Sequence, residues 1–359
     1  MDIESKIKII NEVGEEIISQ EDLKSLLETK KNPVAYDGFE PSGTNIHIAQ
    51  GLLRAININK MTKAGCKFKM WVADWHAWAN NKMAGNLDHI QTVGKYLIEV
   101  WRACDMDLDN VEFVWANKAI KDPDYWKIVM QVARNNTVKR ILRCSQIMGR
   151  SESDALQASQ ILYPCMQCAD IFYLNADITQ LGMDQRKVNV LAREIGQKLG
   201  FWKPVVVSHH MLMGLGQPPK TDLSSADRAI ELKMSKSKPD TAIFMTDTEE
   251  DIKRKIKKAY CPEGVVDENP IMEYCKYIIF EKFNEFKIER PAKFGGDLSF
   301  TSIEELEKVF VNKELHPMDL KESVNIYLNK LINPVRKKIE KSKPAQKLAE
   351  EIKGFEVTR

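Results

Sequence analysis

The chain has 359 residues, with 53 lysine and arginine against 51 aspartate and glutamate, a formal net charge of +2. That balance excludes the bulk basicity of a general nucleic-acid binder, so any polyanion must be met by a local patch. With 43% hydrophobic residues the chain can bury a large core and form two domains, and no apolar run approaches the ~20 residues of a membrane span. The opening "MDIESKIKII" lacks a signal-peptide pattern, and seven scattered cysteines fit reduced thiols in a cytoplasmic protein. Cys165-x-x-Cys168 is the one suggestive spacing, but no second Cys/His pair lies near it in sequence, so no metal site is expected.

In chain order, residues 1–30 read as an N-terminal helical segment with a start signal at "SQEDLKSLLETKK". "NPVAYDGF" reads as a buried strand ending at Gly38, and "EPSG" as a turn. A helix starts near His47. "CKFKMWVADW" is a second strand, a helix runs from about Asp88 to Cys104, and "VEFVWA" is a third strand. Residues 120–175 are helix-rich, with an insertion at about 120–160. "ADIT" and "PVVVSHH" supply two more strands around the helix "DQRKVNVLAREIGQKLG". Strands alternating with helices predict an α/β fold, a Rossmann-type doubly wound parallel sheet over 31–246. Charged helical segments follow, so 247–359 is expected to be an all-helical second domain. The Lys-rich stretch from Arg336 to Lys353 reads as a solvated helix face or a polyanion contact.

Ligands of open α/β sheets bind beyond the carboxyl ends of the strands. There, His47 at a helix start suits a phosphate, or else serves as a cap. No G-x-G-x-x-G and no P-loop follows a strand. Tyr163, Gln167 and Asp170 stand at i, i+4 and i+7 of an otherwise apolar helix and share one face. They form either an internal hydrogen-bond network or the floor of a pocket for a polar ligand. In "LGMDQRK", Gly182 permits close backbone approach, and Asp184 either accepts from a ribose hydroxyl or caps a helix. "ELKMSKSKPD" clusters ammonium and hydroxyl groups, which suits phosphate oxygens that move during a reaction, or is an ordinary basic loop.

Together these segments resemble the class I aminoacyl-tRNA synthetases. Lys233-Met234-Ser235-Lys236-Ser237 matches the second signature of that class, and His47-Ile48-Ala49-Gln50 its first, ideally His-Ile-Gly-His. Ala49 keeps a small residue; Gln50 keeps a donor but loses the imidazole. The ordered series "YDGFEPSG", "ADWHAW", "ILYPCMQCADIFYL", "GMDQRKVNVLARE", "KKAYCPEGVV", "KFGGDL" and "NKELHPMDLK" resembles tyrosyl-tRNA synthetase of the archaeal and eukaryotic cytosolic type, from about residue 32 to about 340.

The resemblance implies activation of tyrosine by ATP, with Mg²⁺ carried on the nucleotide, and transfer to tRNA(Tyr). Tyr36 and Asp170 would meet the substrate phenol, and Tyr163, Gln167 and Gln185 its ammonium. Gly38 and Glu40 would lie along the substrate backbone, with Trp71, Ala73 and His76 on the pocket wall. His47 and Gln50 would bond phosphates, with Ala49 packed beside the nucleotide. Gly182 and Asp184 would take the ribose. Lys233 and Lys236 would hold pyrophosphate on a loop shaped by Met234, Ser235 and Ser237. Phe294 would stack on the first anticodon base, Asp319 would read it, and Arg186 and Lys187 would approach the acceptor end. A homodimer interface is implied near 120–160, with "VKRILRCSQIMGR" as its candidate segment. Tryptophanyl-tRNA synthetase shares the fold and signatures, but a polar pair suits a phenol better than an indole. A non-catalytic synthetase-like RNA-binding protein would tolerate loss of His47 and the signature lysines, which are intact.

Overall fold

The computed structural model describes residues 1–149, 155–219, 228, 231–234 and 239–358. The main sheet is built from β1 (Gly14–Ile18), β2 (Val34–Phe39), β3 (Lys67–Val72), β4 (Val111–Trp115), β5 (Ile178–Gly182) and β6 (Val205–His209). Their order is β1-β6-β5-β2-β3-β4. From β2 the chain winds outward through β3 and β4, then returns to β5 on the other side. The strand order therefore reverses between β2 and β5, where a crevice opens beyond their carboxyl ends. All pairings among β2 to β6 are parallel.

β5 and most of β6 are buried, consistent with central strands covered on both faces. Alternation along each strand divides the core. Ala35, Phe68, Met70 and Val72 join a cluster that continues through the helices after residue 248 as far as Ile352. Tyr36, Trp71 and Leu181 point to the opposite face, beneath helices Pro123–Arg134, Ala158–Tyr173 and Arg186–Ile195.

Two expectations need correction. The opening 30 residues are not wholly helical: Gly14–Ile18 is a strand, antiparallel to β6 at the sheet edge. Its apolar residues Ile17 and Ile18 are too few to announce a strand between two helices, and pairing with β6 decides its conformation. The region after 247 is not all-helical either. β7 (Phe286–Ile288) and β8 (Leu298–Phe300) form an antiparallel pair, with Phe286, Ile288 and Phe300 facing the core. The remaining elements there are mainly helices, including Glu249–Lys258 and the 25-residue Pro317–Lys341.

The lysines of the basic stretch near the C-terminus are exposed, a solvated face, although some of its cations are paired. Arg336 bonds to Asp247, and Lys338 pairs with Asp105. Helix Lys343–Ile352 lies against helix Leu87–Ala103. Cys165 and Cys168 are buried free thiols. Among the described residues no helix is long and apolar enough to cross a membrane.

Candidate active site

A cavity of about 250 Å³ lies at the reversal point, lined by residues from the ends of β2, β3, β5 and β6. Its inner end carries Asp170, fully buried on helix Ala158–Tyr173. The Tyr125 hydroxyl donates to Asp170 Oδ1 at 2.8 Å. His76 Nε2 stands 2.9 Å from Oδ2, at ion-pair distance. Burial alone would push His76 down, but the Asp170 carboxylate beside it outweighs this and holds it above its usual value. Burial and the Asp170 charge push the Tyr36 phenol well up, so that ring stays a neutral donor. Trp71 Nε1 and His76 Nδ1 are buried without a hydrogen-bond partner among the described residues.

The flank of this end is amide-rich. Gln167 donates to Gln185 Oε1 at 2.9 Å, and Gln185 donates to the Ile147 carbonyl at 3.1 Å. Tyr163 meets the His76 ring edge-on at 5.1 Å. Asn80 donates to Glu40 at 3.3 Å, fixing a carboxylate at the cavity edge. Gly38 and Ala73 complete the wall.

The outer end carries the first signature. A π-turn over Ala49–Leu53 follows His47 and leads into helix Arg54–Lys63. The Gln50 N–H donates to His47 Nδ1 at 3.3 Å, and the Gln50 carbonyl accepts from Trp101 at 2.6 Å. Segment 242–245 clasps this turn from behind: Ile48 donates to Ile243 and Met245 to Ile46. Gly51 is required here, since a Cβ would lie 2.6 Å from Met245 Cγ.

Lys233, from the second signature, pairs with Asp184 at 2.7 Å. Asp184 is held down despite burial, first by the Lys233 charge and bond and then by Gln185. The ribose acceptor expected at Asp184 is thus already engaged by the expected pyrophosphate ligand. Met234 is buried and donates its N–H to the Leu212 carbonyl. Ser235, Lys236 and Ser237 lie outside the described residues. Gly182 lines the cavity where a Cβ would meet Met211 Sδ at 2.4 Å.

The remaining expected residues lie elsewhere. Arg186 is bound by Glu16 of β1 at 2.6 and 3.0 Å. Lys187 follows it in the same helix, and its carbonyl accepts from Cys144. Phe294 is exposed, with Lys293 over its ring at 4.8 Å. Asp319 sits in the first turn of helix Pro317–Lys341. Arg290 connects the two regions: it bonds Gly296 beside Phe294 and the Glu314 carbonyl before the helix.

The family model for class I tRNA synthetases of the tryptophan and tyrosine type matches residues 28–333. The cytoplasmic tyrosine–tRNA ligase 1 of Arabidopsis thaliana is 52% identical over 361 residues, covering 100% of this chain and 90% of the relative. The chain belongs to the tyrosine–tRNA ligase family. The family member from Thermococcus sibiricus is 41% identical over the whole of both chains. A solved tyrosyl-tRNA synthetase from Pyrococcus horikoshii, complexed with L-tyrosine, is 40% identical with a TM-score of 0.90, covering 98% of this chain and 100% of that one.

Within this ligase framework, sequence reasoning missed several groups. Tyr125 was the hidden partner of Asp170; its spacing with Val129 and Val132 marks a buried helix face, which was the available signal. Asp37 and Arg54 form a buried pair at 2.9 Å and both line the cavity. The signal was an Asp inside an apolar strand, which demands a partner. His209 and His210 also line the cavity. Gln180 contacts His209 Nδ1 at 2.7 Å; burial, with the Arg54 charge, brings His209 down to about 3.

Proposed function

We propose that this chain activates L-tyrosine with ATP and transfers it to the 3′ terminal ribose of tRNA(Tyr). The observation that carries the reading is Asp170: a buried carboxylate at the end of an aromatic pocket, steadied by Tyr125 and His76. A phenol hydroxyl can donate to it, while Tyr36 offers a neutral hydroxyl of its own. The Pyrococcus horikoshii relative was solved with L-tyrosine, which supports the same use of this pocket. Phenylalanine in its place leaves Asp170 short of a donor; tyrosyl-tRNA synthetases are known to reject phenylalanine on this principle without editing.

Tyr163, Gln167 and Gln185 surround the amino group. The tyrosine carboxylate is already ionised near neutral pH, so it attacks the α-phosphorus of ATP without a general base. The new bond joins carboxylate oxygen to phosphorus, and pyrophosphate leaves with the electron pair of the cleaved P–O bond. ATP enters as its Mg²⁺ complex. The protein's part is positioning and charge stabilisation. His47 and Gln50 bond the phosphates, and Gly182 lets the nucleotide approach β5. Lys233 releases Asp184 to the ribose and turns to pyrophosphate, alongside Lys236. In the second step a terminal ribose hydroxyl of the tRNA attacks the carbonyl carbon of the adenylate; the ester bond forms as the C–O bond to the phosphate breaks, AMP leaves with that electron pair, and the hydroxyl proton passes to the departing phosphate or to water.

Residues 247–359 serve as the anticodon-binding unit, with Phe294 stacking on a base and Asp319 reading its edge; the exposure of Phe294 supports this. Arg186 and Lys187 meet the acceptor end. Residues 31–246 form the catalytic unit in a cytoplasmic homodimer. Exposed Met130 and Val138 support an interface around 120–160. Charging of total tRNA with each labelled amino acid tests the function: tyrosine is esterified, whereas charging by tryptophan would favour the related ligase.

A further inference from the structure

The nucleotide end of the cavity poses an electrostatic problem. ATP brings several negative charges. Gln50 stands where the first signature ideally has a second histidine, and His209 is held neutral at ordinary pH. Lys233 is paired with Asp184. Among the described residues, the other lysine or arginine lining the cavity is Arg54, while His210, raised to about 9, is held between Glu15 and Glu273.

Arg54 is held in an unusual way for a structural arginine. Its Nε lies 2.9 Å from Asp37 Oδ2, and both side chains are nearly buried. Nη2 donates to the Gly38 carbonyl at 3.4 Å, and the guanidinium lies 5.7 Å from the Trp101 ring centroid. Nη1 is buried and has no hydrogen-bond partner among the described residues. An unpaired buried donor is costly, and one on a charged group more so. Burial pushes Asp37 up to about 6, with Arg54 pulling against it, so the pair is not fully relaxed by its own contact. The π-turn over Ala49–Leu53 sets the direction in which Arg54 leaves the signature, and such turns concentrate at functional sites.

We propose that Arg54 is a further nucleotide-binding residue, its unpartnered Nη1 group donating to a phosphate oxygen of ATP while Asp37 holds the guanidinium in place. It thereby sets a charged donor beside the first signature, where Gln50 offers only a neutral amide. The proposal rests on the ligase reading above, and deepens it by adding a charged donor to the phosphate end.

The test is steady-state tyrosine-dependent pyrophosphate exchange, varying ATP and tyrosine separately, in wild type, Arg54→Lys, Arg54→Met and the double variant Asp37→Asn/Arg54→Met. Arg54→Met is expected to raise KM for ATP by about tenfold or more, the scale of one charge-assisted hydrogen bond. KM for tyrosine stays within about twofold, since Asp170 and its partners are untouched. Arg54→Lys recovers part of the loss, because the charge returns without the planar fork. The double variant removes the buried charge imbalance, so it folds even if Arg54→Met does not, and it remains defective for ATP. Wild-type KM for ATP in the double variant would overturn the proposal, leaving Arg54 a mere counter-ion to Asp37. So would an unchanged KM in Arg54→Met. Absence of tyrosine-dependent exchange in wild type is a different result and would defeat the ligase reading itself.

Discussion

At the scale of single residues, the site is a set of polar atoms whose partners are only partly supplied by the chain. Asp170 is the clearest case. Tyr125 satisfies one oxygen and His76 balances the charge, while Trp71 Nε1 and His76 Nδ1 remain unpartnered nearby. Asp170→Asn keeps the shape and removes the charge. We expect kcat/KM for tyrosine to fall about 10- to 100-fold, from the ~1.5–3 kcal/mol of a hydrogen bond to a charged group. Phenylalanine should lose far less, so the selectivity ratio narrows; equal losses for both would place the phenol elsewhere. The helical spacing of Tyr163, Gln167 and Asp170 was legible in the sequence because a shared polar face in an apolar helix is a local pattern. Tyr125 was not, because its link to Asp170 spans 45 positions and depends on how two helices pack. The Lys233–Asp184 pair was hidden for the same reason: each residue was recognised, but their meeting was not.

At the scale of elements, the first signature owes its geometry to what lies behind it. The turn at 47–53 is clasped by segment 242–245, and Gly51 lets Met245 come close. A Cβ on Gly51 forces that segment away. Gly51→Ala should lower stability by about 1–3 kcal/mol, the usual cost of overpacking, measured by urea unfolding. It should also raise KM for ATP, because His47 shifts with its strand-like contact to Phe244. An unchanged melt would mean that the clasp yields without cost. The alternation of helix and strand made the parallel sheet legible from composition and spacing alone. The edge strand Gly14–Ile18 and the pair Phe286–Ile288 with Leu298–Phe300 were not, since short strands draw their stability from neighbours rather than from their own residues.

At the scale of the whole molecule, the two halves of the chain share one buried cluster and several ionic ties. Lys255 is nearly buried and reaches back to Asp247 at 2.7 Å and the Ala242 carbonyl at 2.9 Å, bracing the segment that clasps His47. Lys255→Met leaves Asp247 without its cation, and we expect a loss of about 3 kcal/mol in unfolding free energy. His210 makes a second tie. It lies 3.0 Å from Glu15 of β1 and 3.1 Å from Glu273 of helix Pro270–Tyr274, and stacks on Tyr277. Burial pushes His210 down, but the two carboxylates outweigh it and bring it up to about 9. A histidine raised on folding stabilises fully below its unfolded value near 6.5, and that contribution fades as pH rises through about 9. Thermal melts should therefore lose stability between pH 7 and 9.5, and His210→Gln should flatten that slope. Such ties join residues far apart in sequence, which is why the change of texture near residue 246 was legible while the contacts across it were not.

Amino-acid-dependent exchange of labelled pyrophosphate into ATP, run without tRNA for each of the twenty amino acids, tests the central assignment most directly. Strong exchange with tyrosine alone is the predicted result, because only a phenol satisfies Asp170 and Tyr36 together. Exchange with tryptophan instead, or with no amino acid, would contradict it.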